Sequence, residues 1–273
     1  MSKTILITGA SSGIGKATAK LFQSKGWNVA ATMRAPERET ELSNLDRVRL
    51  SRLDLEDRPS ISAAIETSIA AFGRIDVLLN NAGYGAYGLL EATPMGKIDR
   101  QFQVNVLGLL KACKAVLPHF REQKDGTIIN VSSIGGKMTF PLGALYHGSK
   151  FAVEGLSEAL HYELKPIGVR VKLIEPGVIK TDFAGRSFDF SNDPAIEVYQ
   201  PIVQAFFKTL APMAETAASP EVVAEAIFEA ATDNTSRLRY EVGVDAVQLL
   251  AARKSLDDET FFGMIEQQFG FSS

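Results

Sequence analysis

Lys3-Thr-Ile-Leu-Ile-Thr-Gly-Ala-Ser-Ser-Gly-Ile-Gly15 joins an apolar run to a helical pattern through a glycine-rich loop. Lys3–Thr8 is a short apolar run and reads as a buried strand. From Gly13 to Lys25 the apolar residues Ile14, Ala17, Leu21 and Phe22 fall at helical spacing. Between the two, glycines stand at 9, 13 and 15. Glycine lets a backbone turn tightly and approach a diphosphate closely. A helix N-terminus then offers unpaired N–H groups and the positive end of its dipole to an anion. The spacing is G-x-x-x-G-x-G, not the G-x-G-x-x-G of the general dinucleotide fingerprint. Taken alone, such a loop is equally a plain structural turn.

Working outward, strands and helices alternate. Asn28–Met33 and Val48–Leu53 read as strands, and Ser60–Phe72 as a helix with Ile61, Ala64, Ile65 and Ile69 on one face. Asp76–Leu79 is a fourth strand, Gly96–Gln123 holds two helical stretches, and Gly126–Val131 is a fifth strand. Leu145–Lys165 is a helix closed by Pro166 and Gly168, followed by a strand over Val169–Glu175. This order predicts an α/β fold, a doubly wound parallel sheet with helices on both faces, whose ligands bind beyond the carboxyl ends of the strands.

No linker divides the chain, so residues 1–273 read as one domain. Within it, 1–181 form the core and 182–218 an irregular substrate lid rich in aromatics: Phe183, Phe188, Phe190, Phe206 and Phe207. The same aromatics would equally seat a helical pair on the body. Residues 219–273 form a C-terminal extension with a helix, a strand at Leu238–Val242 and closing helices.

Composition narrows the classes. The chain has 273 residues, 29 basic against 32 acidic for a net charge of −3, and 45% hydrophobic residues. That content excludes disorder as the main state, and the charge offers no surplus for nucleic acid. One cysteine, Cys113, cannot form an intrachain disulfide. With His119, His147 and His161 in no ligand-like spacing, no metal site is expected. No run of about 18 apolar residues marks a membrane span. The N-terminus does not read as a signal peptide, and a cytoplasmic setting is the expectation.

Chemistry enters with Tyr146 and Lys150, four residues apart on one helix face. A phenol with a pKa near 10 is a poor acid–base at neutral pH, and a nearby ammonium lowers that value. Asn105, inside an apolar helix, is unfavourable unless hydrogen-bonded. Its alternative is a residue that kinks the helix.

Five matches in order give the chain its resemblance to the short-chain dehydrogenase/reductases of the Tyr-x-x-x-Lys branch. They are Thr8-Gly-Ala-Ser-Ser-Gly-Ile-Gly15, Asn80-Asn-Ala-Gly83, Asn105, Ser133 with Tyr146 and Lys150, and Pro176-Gly-Val-Ile-Lys-Thr181. The resemblance implies a Rossmann fold, and a catalytic set of Asn105, Ser133, Tyr146 and Lys150. It selects Ser133 over Ser132, gives Asn105 a water relay, and has Lys150 lower the tyrosine pKa and bond the nicotinamide ribose. For the cofactor it implies Gly9, Ser11, Ser12, Gly13, Ile14, Gly15, Asp54, Asn81, Ala82, Gly83, Tyr146, Lys150, Pro176, Gly177, Val178, Ile179 and Thr181. Asp54 would meet the adenine amino group, though alone it serves equally as a turn residue. Val178 or Ile179 backbone groups and Thr181 would fix the carboxamide.

In NAD-binding relatives an acidic residue ends the second strand. Here Asn28-Val-Ala-Ala-Thr-Met-Arg34 has none, Met33 takes the slot, and Arg34 suits a 2′-phosphate. NADP is therefore expected, with Ser11 or Ser12 as further donors; a solvated surface arginine is the alternative. Gly83, Tyr84, Gly135, Leu142, Leu145 and the segment Phe183–Phe207 predict an apolar substrate side for a hydrophobic ketone, aldehyde or alcohol. Ala-Thr-Met-Arg34 and Arg239-Tyr-Glu-Val-Gly243 are locally similar to the family's steroid and retinoid dehydrogenases. Rival expectations are a non-catalytic NADP-binding sensor and a reductase of carrier-bound acyl chains. For the latter, Lys137, Lys180 and Arg186 are too few to decide. His147 is expected to point away from Tyr146 and only to pack. A homo-oligomer, dimer or tetramer, is expected through the helices around 100–123 and 145–165, with Leu109, Val116, Phe151 and Leu156 as apolar contacts.

Overall fold

The structure, a computed structural model, describes residues 2–181 and 187–271. Its centre is a parallel sheet of β1 (Thr4–Thr8), β2 (Asn28–Met33), β3 (Val48–Arg52), β4 (Val77–Asn80), β6 (Gly126–Val131), β7 (Val169–Pro176) and β9 (Arg239–Val242). The order is β3-β2-β1-β4-β6-β7-β9, so the winding reverses between β1 and β4. A parallel sheet must be covered on both faces, and its strands are nearly continuous apolar runs for that reason. Successive side chains take opposite faces. Ile5, Ile7, Val77 and Leu79 join one core with Phe22, Val223 and Ile227, whereas Leu6 and Leu78 join another with Ile61, Ala112 and Phe120.

The first core lies beneath α1 (Gly13–Ser24) and α7 (Pro220–Thr232), which pack together. The second lies beneath α2 (Arg58–Phe72), α4 (Leu109–Gln123) and α5 (Ala144–Leu164). Leu109 and Val116, expected at an oligomer contact, are instead 5% and 0% exposed in this second core; of the four residues named for that role, Phe151 is exposed. Burial is the reason: on α4 the apolar stripe is needed by the sheet.

The predicted strands and helices are present with ends displaced by a residue or two. Gly96–Gln123, read as two helical stretches, is α3 (Met95–Phe102) and α4 joined without a break by a π-helical turn over Gln103–Gly108. The segment read as irregular holds β8 (Phe188–Ser191) and α6 (Gln200–Glu215). β8 pairs in parallel with β5 (Gly85–Gly88), a strand the sequence does not announce. Asp182–Arg186, including Phe183, lie outside the described residues. In the extension, α8 (Val244–Ser255) and α9 (Asp258–Gln268) build a third core with Phe206, Phe261 and Phe269. None of the described helices is long and apolar enough to cross a membrane.

One buried polar chain ties the sheet to α5. Asn80 Nδ2 donates to Asn130 Oδ1 at 2.9 Å, Asn130 Nδ2 donates to Ser157 Oγ at 2.8 Å, and Ser157 Oγ donates to Val153 O at 2.6 Å. Replacing Asn130 by Leu would leave the amide of Asn80 only the weak acceptor Cys113 Sγ, at 3.3 Å, and would remove the donor to Ser157. We expect Asn130→Leu to cost about 2 kcal/mol in urea unfolding, the typical penalty of an unsatisfied buried donor. A loss below about 0.5 kcal/mol would mean that the chain is not a support.

Candidate active site

The reversal between β1 and β4 opens a cleft at the carboxyl ends of those strands, and two loops are clasped there. Thr8 Oγ1 accepts from the backbone N–H groups of Asn81 and Ala82 at 3.0 and 3.1 Å. Asn81 Nδ2 donates back to the carbonyls of Thr8 and Gly9 at 3.0 and 3.1 Å. Gly9 sits at φ +71°, and a Cβ there would press on Ala82 at 3.0 Å. A Cβ on Gly15 would overlap Gly9 O and come within 2.6 Å of Asn81 Nδ2. The loop is therefore glycine because backbone passes backbone without room for a side chain. Thr181 lies beside Gly13, where a Cβ would meet its methyl group at 3.2 Å, so the Pro176–Thr181 loop borders the same cradle.

This cradle fits a dinucleotide. Ser12 is the N-cap of α1 but its side chain makes no capping bond, and the first turn carries no acidic residue. The opening N–H groups and the positive helix end are thus left for an anion. Ser11 and Ile14 lie in the same turn, and Ile14 packs on the first core. Arg34 is exposed directly after the buried Met33. Two of the carboxylates that follow are already paired: Glu39 with Lys16 at 3.0 Å, and Glu41 with Lys16 and Lys20 at 3.0 and 2.6 Å. Asp54 Oδ1 accepts from Glu56 N at 3.0 Å, a turn bond that leaves its second oxygen for other donors.

On the catalytic side, Tyr146 and Lys150 share one face of α5, and Ser133 hydrogen-bonds the Tyr146 hydroxyl. Ser133 Oγ also accepts from Gly135 N at 3.0 Å, capping the turn Ile134–Gly136. Lys150 is 9% exposed; its Nζ donates to Val131 O at 2.9 Å and lies 5.8 Å from the Tyr146 ring centroid. The sequence predicts a tyrosine pKa lowered by that ammonium. In the structure burial raises it, and the Ser133 hydrogen bond is what works downward. The physical reason is that the cation lies over the ring and bonds the β6 carbonyl. Burial brings Lys150 itself down to about 8, with Glu154 acting in the opposite direction.

Asn105 sits in the π-helical turn, a feature common at functional sites. Its amide braces the loop opposite: Oδ1 accepts from Tyr84 N at 3.1 Å, and Nδ2 donates to Tyr84 O at 2.8 Å and to Ser149 Oγ at 3.1 Å. Ser149 Oγ also accepts from Gln101 Nε2 and donates to Tyr146 O at 2.7 Å. The side chain of Asn105 is therefore a brace between the Tyr84 backbone and Ser149.

Three residues at this site were not assigned from sequence. Tyr87, on β5, stacks on Tyr146 with centroids 5.2 Å apart and also meets Phe188 and Phe206. Phe206, on α6, stacks in turn on Phe269, just after α9, so these segments form one aromatic wall, to which Leu142 belongs. Asp245, in the first turn of α8, accepts from Val178 N at 2.7 Å, and Gly177 leaves room for it. His147 was expected only to pack. Its Nε2 accepts from Phe140 N and its Nδ1 donates to Gly135 O, both at 3.0 Å, and its ring lies 5.6 Å from that of Tyr146. It staples the loop that follows Ser133, because helix geometry turns it toward that loop as well as away from the hydroxyl of Tyr146. Ile179 forms a parallel β-bridge with Ala218, which ties the Pro176–Thr181 loop to the segment between α6 and α7.

Comparison with known proteins follows this geometry. The family model for short chain dehydrogenase matches residues 3–192. An uncharacterised oxidoreductase of Schizosaccharomyces pombe is 46% identical over 243 residues, 87% of this chain and 100% of that protein. A 3-ketodihydrosphingosine reductase of Bacteroides thetaiotaomicron is 45% identical over 179 residues, 66% of this chain and 65% of that protein. Among solved structures, a short-chain dehydrogenase from Streptomyces avermitilis superposes with TM-score 0.81 at 31% identity over 100% of both chains. ElxO with NADP bound superposes with TM-score 0.72 at 29% identity, covering 88% of this chain and 97% of that one. A short-chain dehydrogenase from Burkholderia phymatum in complex with NAD gives 0.76 at 25% identity, covering 93% and 92%.

The staple carries a pH signature. Burial lowers His147 to about 4, against which its bond to Gly135 works. The unfolded chain holds an ordinary histidine near 6.5. The contribution is thus complete above that value and is lost as pH falls toward 4, by on the order of 3 kcal/mol. We expect the stability gap between wild type and His147→Gln, from urea unfolding, to narrow from pH 7 to pH 4. A gap independent of pH would contradict the neutral, Nδ1-protonated staple.

Proposed function

The chain belongs to the short-chain dehydrogenase family, and on that premise we propose that it is an NADP-dependent oxidoreductase acting on a hydrophobic ketone, aldehyde or alcohol. The observation that carries the reading is the meeting of a dinucleotide cradle with a hydrogen-bonded Ser133–Tyr146 pair and a buried Lys150 across one cleft.

The first strand–helix turn would hold the diphosphate with the backbone from Gly9 to Gly15, and Asn81, Ala82 and Gly83 would border the adenosine side. The nicotinamide, when bound, supplies or accepts the hydride. In the reducing direction Tyr146 donates its hydroxyl proton to the carbonyl oxygen as the carbinol C–H bond forms. Ser133 donates a hydrogen bond to the same oxygen and fixes it against the tyrosine. The Ser133 hydrogen bond favours the phenolate left behind, and the Lys150 ammonium would bond the ribose hydroxyls of the bound cofactor. Asn105, with its side chain committed to Tyr84, holds the relay water through its backbone. Val178, Ile179 and Thr181, on the loop between Pro176 and Thr181, would hold the carboxamide end. These groups supply position and electrostatics, and one hydride to carbon with one proton to oxygen accounts for the conversion of C=O to CH–OH.

Arg34 supports NADP over NAD, since Met33 leaves no carboxylate at the end of β2 to repel a 2′-phosphate and the exposed guanidinium of Arg34 follows it. Substrate size is supported by the wall of Tyr87, Phe188, Phe190 and Phe206. We read the segment through Ala218 as a substrate lid on the core of residues 1–181, with 219–273 as the extension that backs it. The 3-ketodihydrosphingosine reductase points the same way, toward a keto group on an apolar chain. The single buried Cys113, whose thiol burial pushes up to about 12, suits a reducing cytoplasm. Exposed Leu107 and Phe151 support a homo-oligomer.

Two variants test the reading. Tyr146→Phe should lower kcat by at least 10²-fold, as for loss of a general acid, while NADPH still binds; turnover near the wild-type rate would defeat the mechanism. Arg34→Ala should raise the KM for NADPH by about tenfold or more, the loss of a charged hydrogen bond, and leave that for NADH nearly unchanged. Equal changes for the two cofactors would refute the phosphate contact.

A further inference from the structure

The face of α5 that bears Tyr146 and Lys150 continues, one turn on, to Glu154. Glu154 is 4% exposed, and Glu175, on β7 beside it, is 1% exposed. Arg239, on β9, joins them. Its Nε and Nη2 both donate to Glu154 Oε2 at 3.0 Å, and Nε lies 3.0 Å from Glu175 Oε1. Its Nη2 also pairs with the more exposed Glu158. Two buried carboxylates therefore share a single guanidinium.

Two features show that the arrangement is incomplete with both acids ionised. Glu154 Oε1 is buried and accepts no hydrogen bond, and Glu175 Oε1, equally buried, has its ion-pair contact with Arg239 Nε but no aligned N–H, since that N–H is directed to Glu154 Oε2. Yet the two carboxyl groups lie within hydrogen-bonding reach of each other. Ionised carboxylates only accept, so neither can satisfy the other. A single proton makes one of them a donor and removes a like-charge repulsion at the same time. Burial and the charge of Glu154 both push Glu175 upward, while Arg239 and Lys137 pull it down.

The groups that face this pair come from every element around it. Lys150 and Glu158 lie on α5, Glu175 on β7, Arg239 on β9, and Lys137 on the loop after β6. That loop is seated against Glu154, since a Cβ on Gly136 would come within 2.9 Å of Glu154 Cγ and 2.7 Å of Ser132 Oγ. Of the cations, Lys150 is the catalytic one, and the charge of Glu154 is what opposes the loss of its proton.

We propose that Glu154 and Glu175, bridged by Arg239, share one proton and act as positioning residues that hold the counter-charge of Lys150. This rests on the assignment of Lys150 to the active site. As pH rises the shared proton leaves, a second negative charge develops behind the lysine, and its ammonium is favoured. The pair thus keeps Lys150 charged into the range where burial alone would strip it.

The test is a ¹³C NMR titration of the full chain, labelled at glutamate carboxyls and lysine ε-carbons, beside pH profiles of kcat/KM. One wild-type carboxyl should titrate well above the ordinary value of about 4.3. Its signal should vanish in Glu175→Gln and move toward the ordinary range in Glu154→Gln. In Glu154→Gln the Lys150 titration, and with it the corresponding limb of the pH profile, should move down by about one unit, a tenfold loss of proton affinity. Glu163→Gln, on the exposed end of α5, should move neither. A wild type in which every glutamate titrates below about 5 overturns the shared proton, however the variants fold. A Lys150 titration unmoved in Glu154→Gln overturns the positioning role. Absence of carbonyl turnover in wild type would count against the oxidoreductase reading alone, because both titrations would still decide the pair.

Discussion

Removing a lysine ammonium from water costs several kcal/mol unless neighbouring groups compensate it, and Lys150 is the cation that this molecule buries at its centre of chemistry. The compensation reaches in three directions: the carbonyl of Val131 at the end of β6, the ring of Tyr146 one turn back, and the carboxylate of Glu154 one turn on. Those contacts can coexist only if β6 ends beneath α5 and β7 lies behind it. The same placement brings Ser133, the second residue after β6, to the tyrosine hydroxyl. On the proposed reading, the geometry of proton transfer is thereby a consequence of how one buried charge is accommodated.

The two halves of the cleft are built by different means. The cofactor side is backbone: glycine carbonyls and N–H groups clasped by Thr8 and Asn81, with no space for side chains. The catalytic side is made of side chains on rigid helices, held through Ser149, where Gln101, Asn105 and the Tyr146 carbonyl meet. That junction also holds the backbone of Tyr84, which sets Tyr87 onto Tyr146. The aromatic wall then passes through Phe188 and Phe206 to Phe269, drawn from distant parts of the chain. Such a division lets substrate preference change in the wall without disturbing the cradle.

Much of this was legible in the sequence, because parallel strands buried on both faces leave unbroken apolar runs, and the glycines, Tyr146 and Lys150 stand at spacings with a physical purpose. What was not legible depends on contacts between remote residues. Gly85–Gly88 is too short and too rich in glycine to read as a strand until Phe188–Ser191 pairs with it. The π-helical turn at Asn105 spans only six residues, too short a slip in helical repeat for the apolar pattern to reveal. His147 looked like packing because nothing local reveals that both ring nitrogens meet backbone groups of the preceding loop. The tyrosine pKa was expected to fall because proximity to an ammonium is read from spacing, whereas the burial that raises it is not.

The most direct test of the central claim follows the hydrogen. A panel of hydrophobic ketones and aldehydes is reduced with NADPH carrying deuterium at C4 of the nicotinamide, and the alcohols are examined by mass spectrometry and NMR. The account predicts one deuterium on the carbinol carbon, from one face of the nicotinamide only, and an exchangeable hydrogen on the oxygen. Tight NADPH binding with no label transferred to any carbonyl of the panel would contradict it.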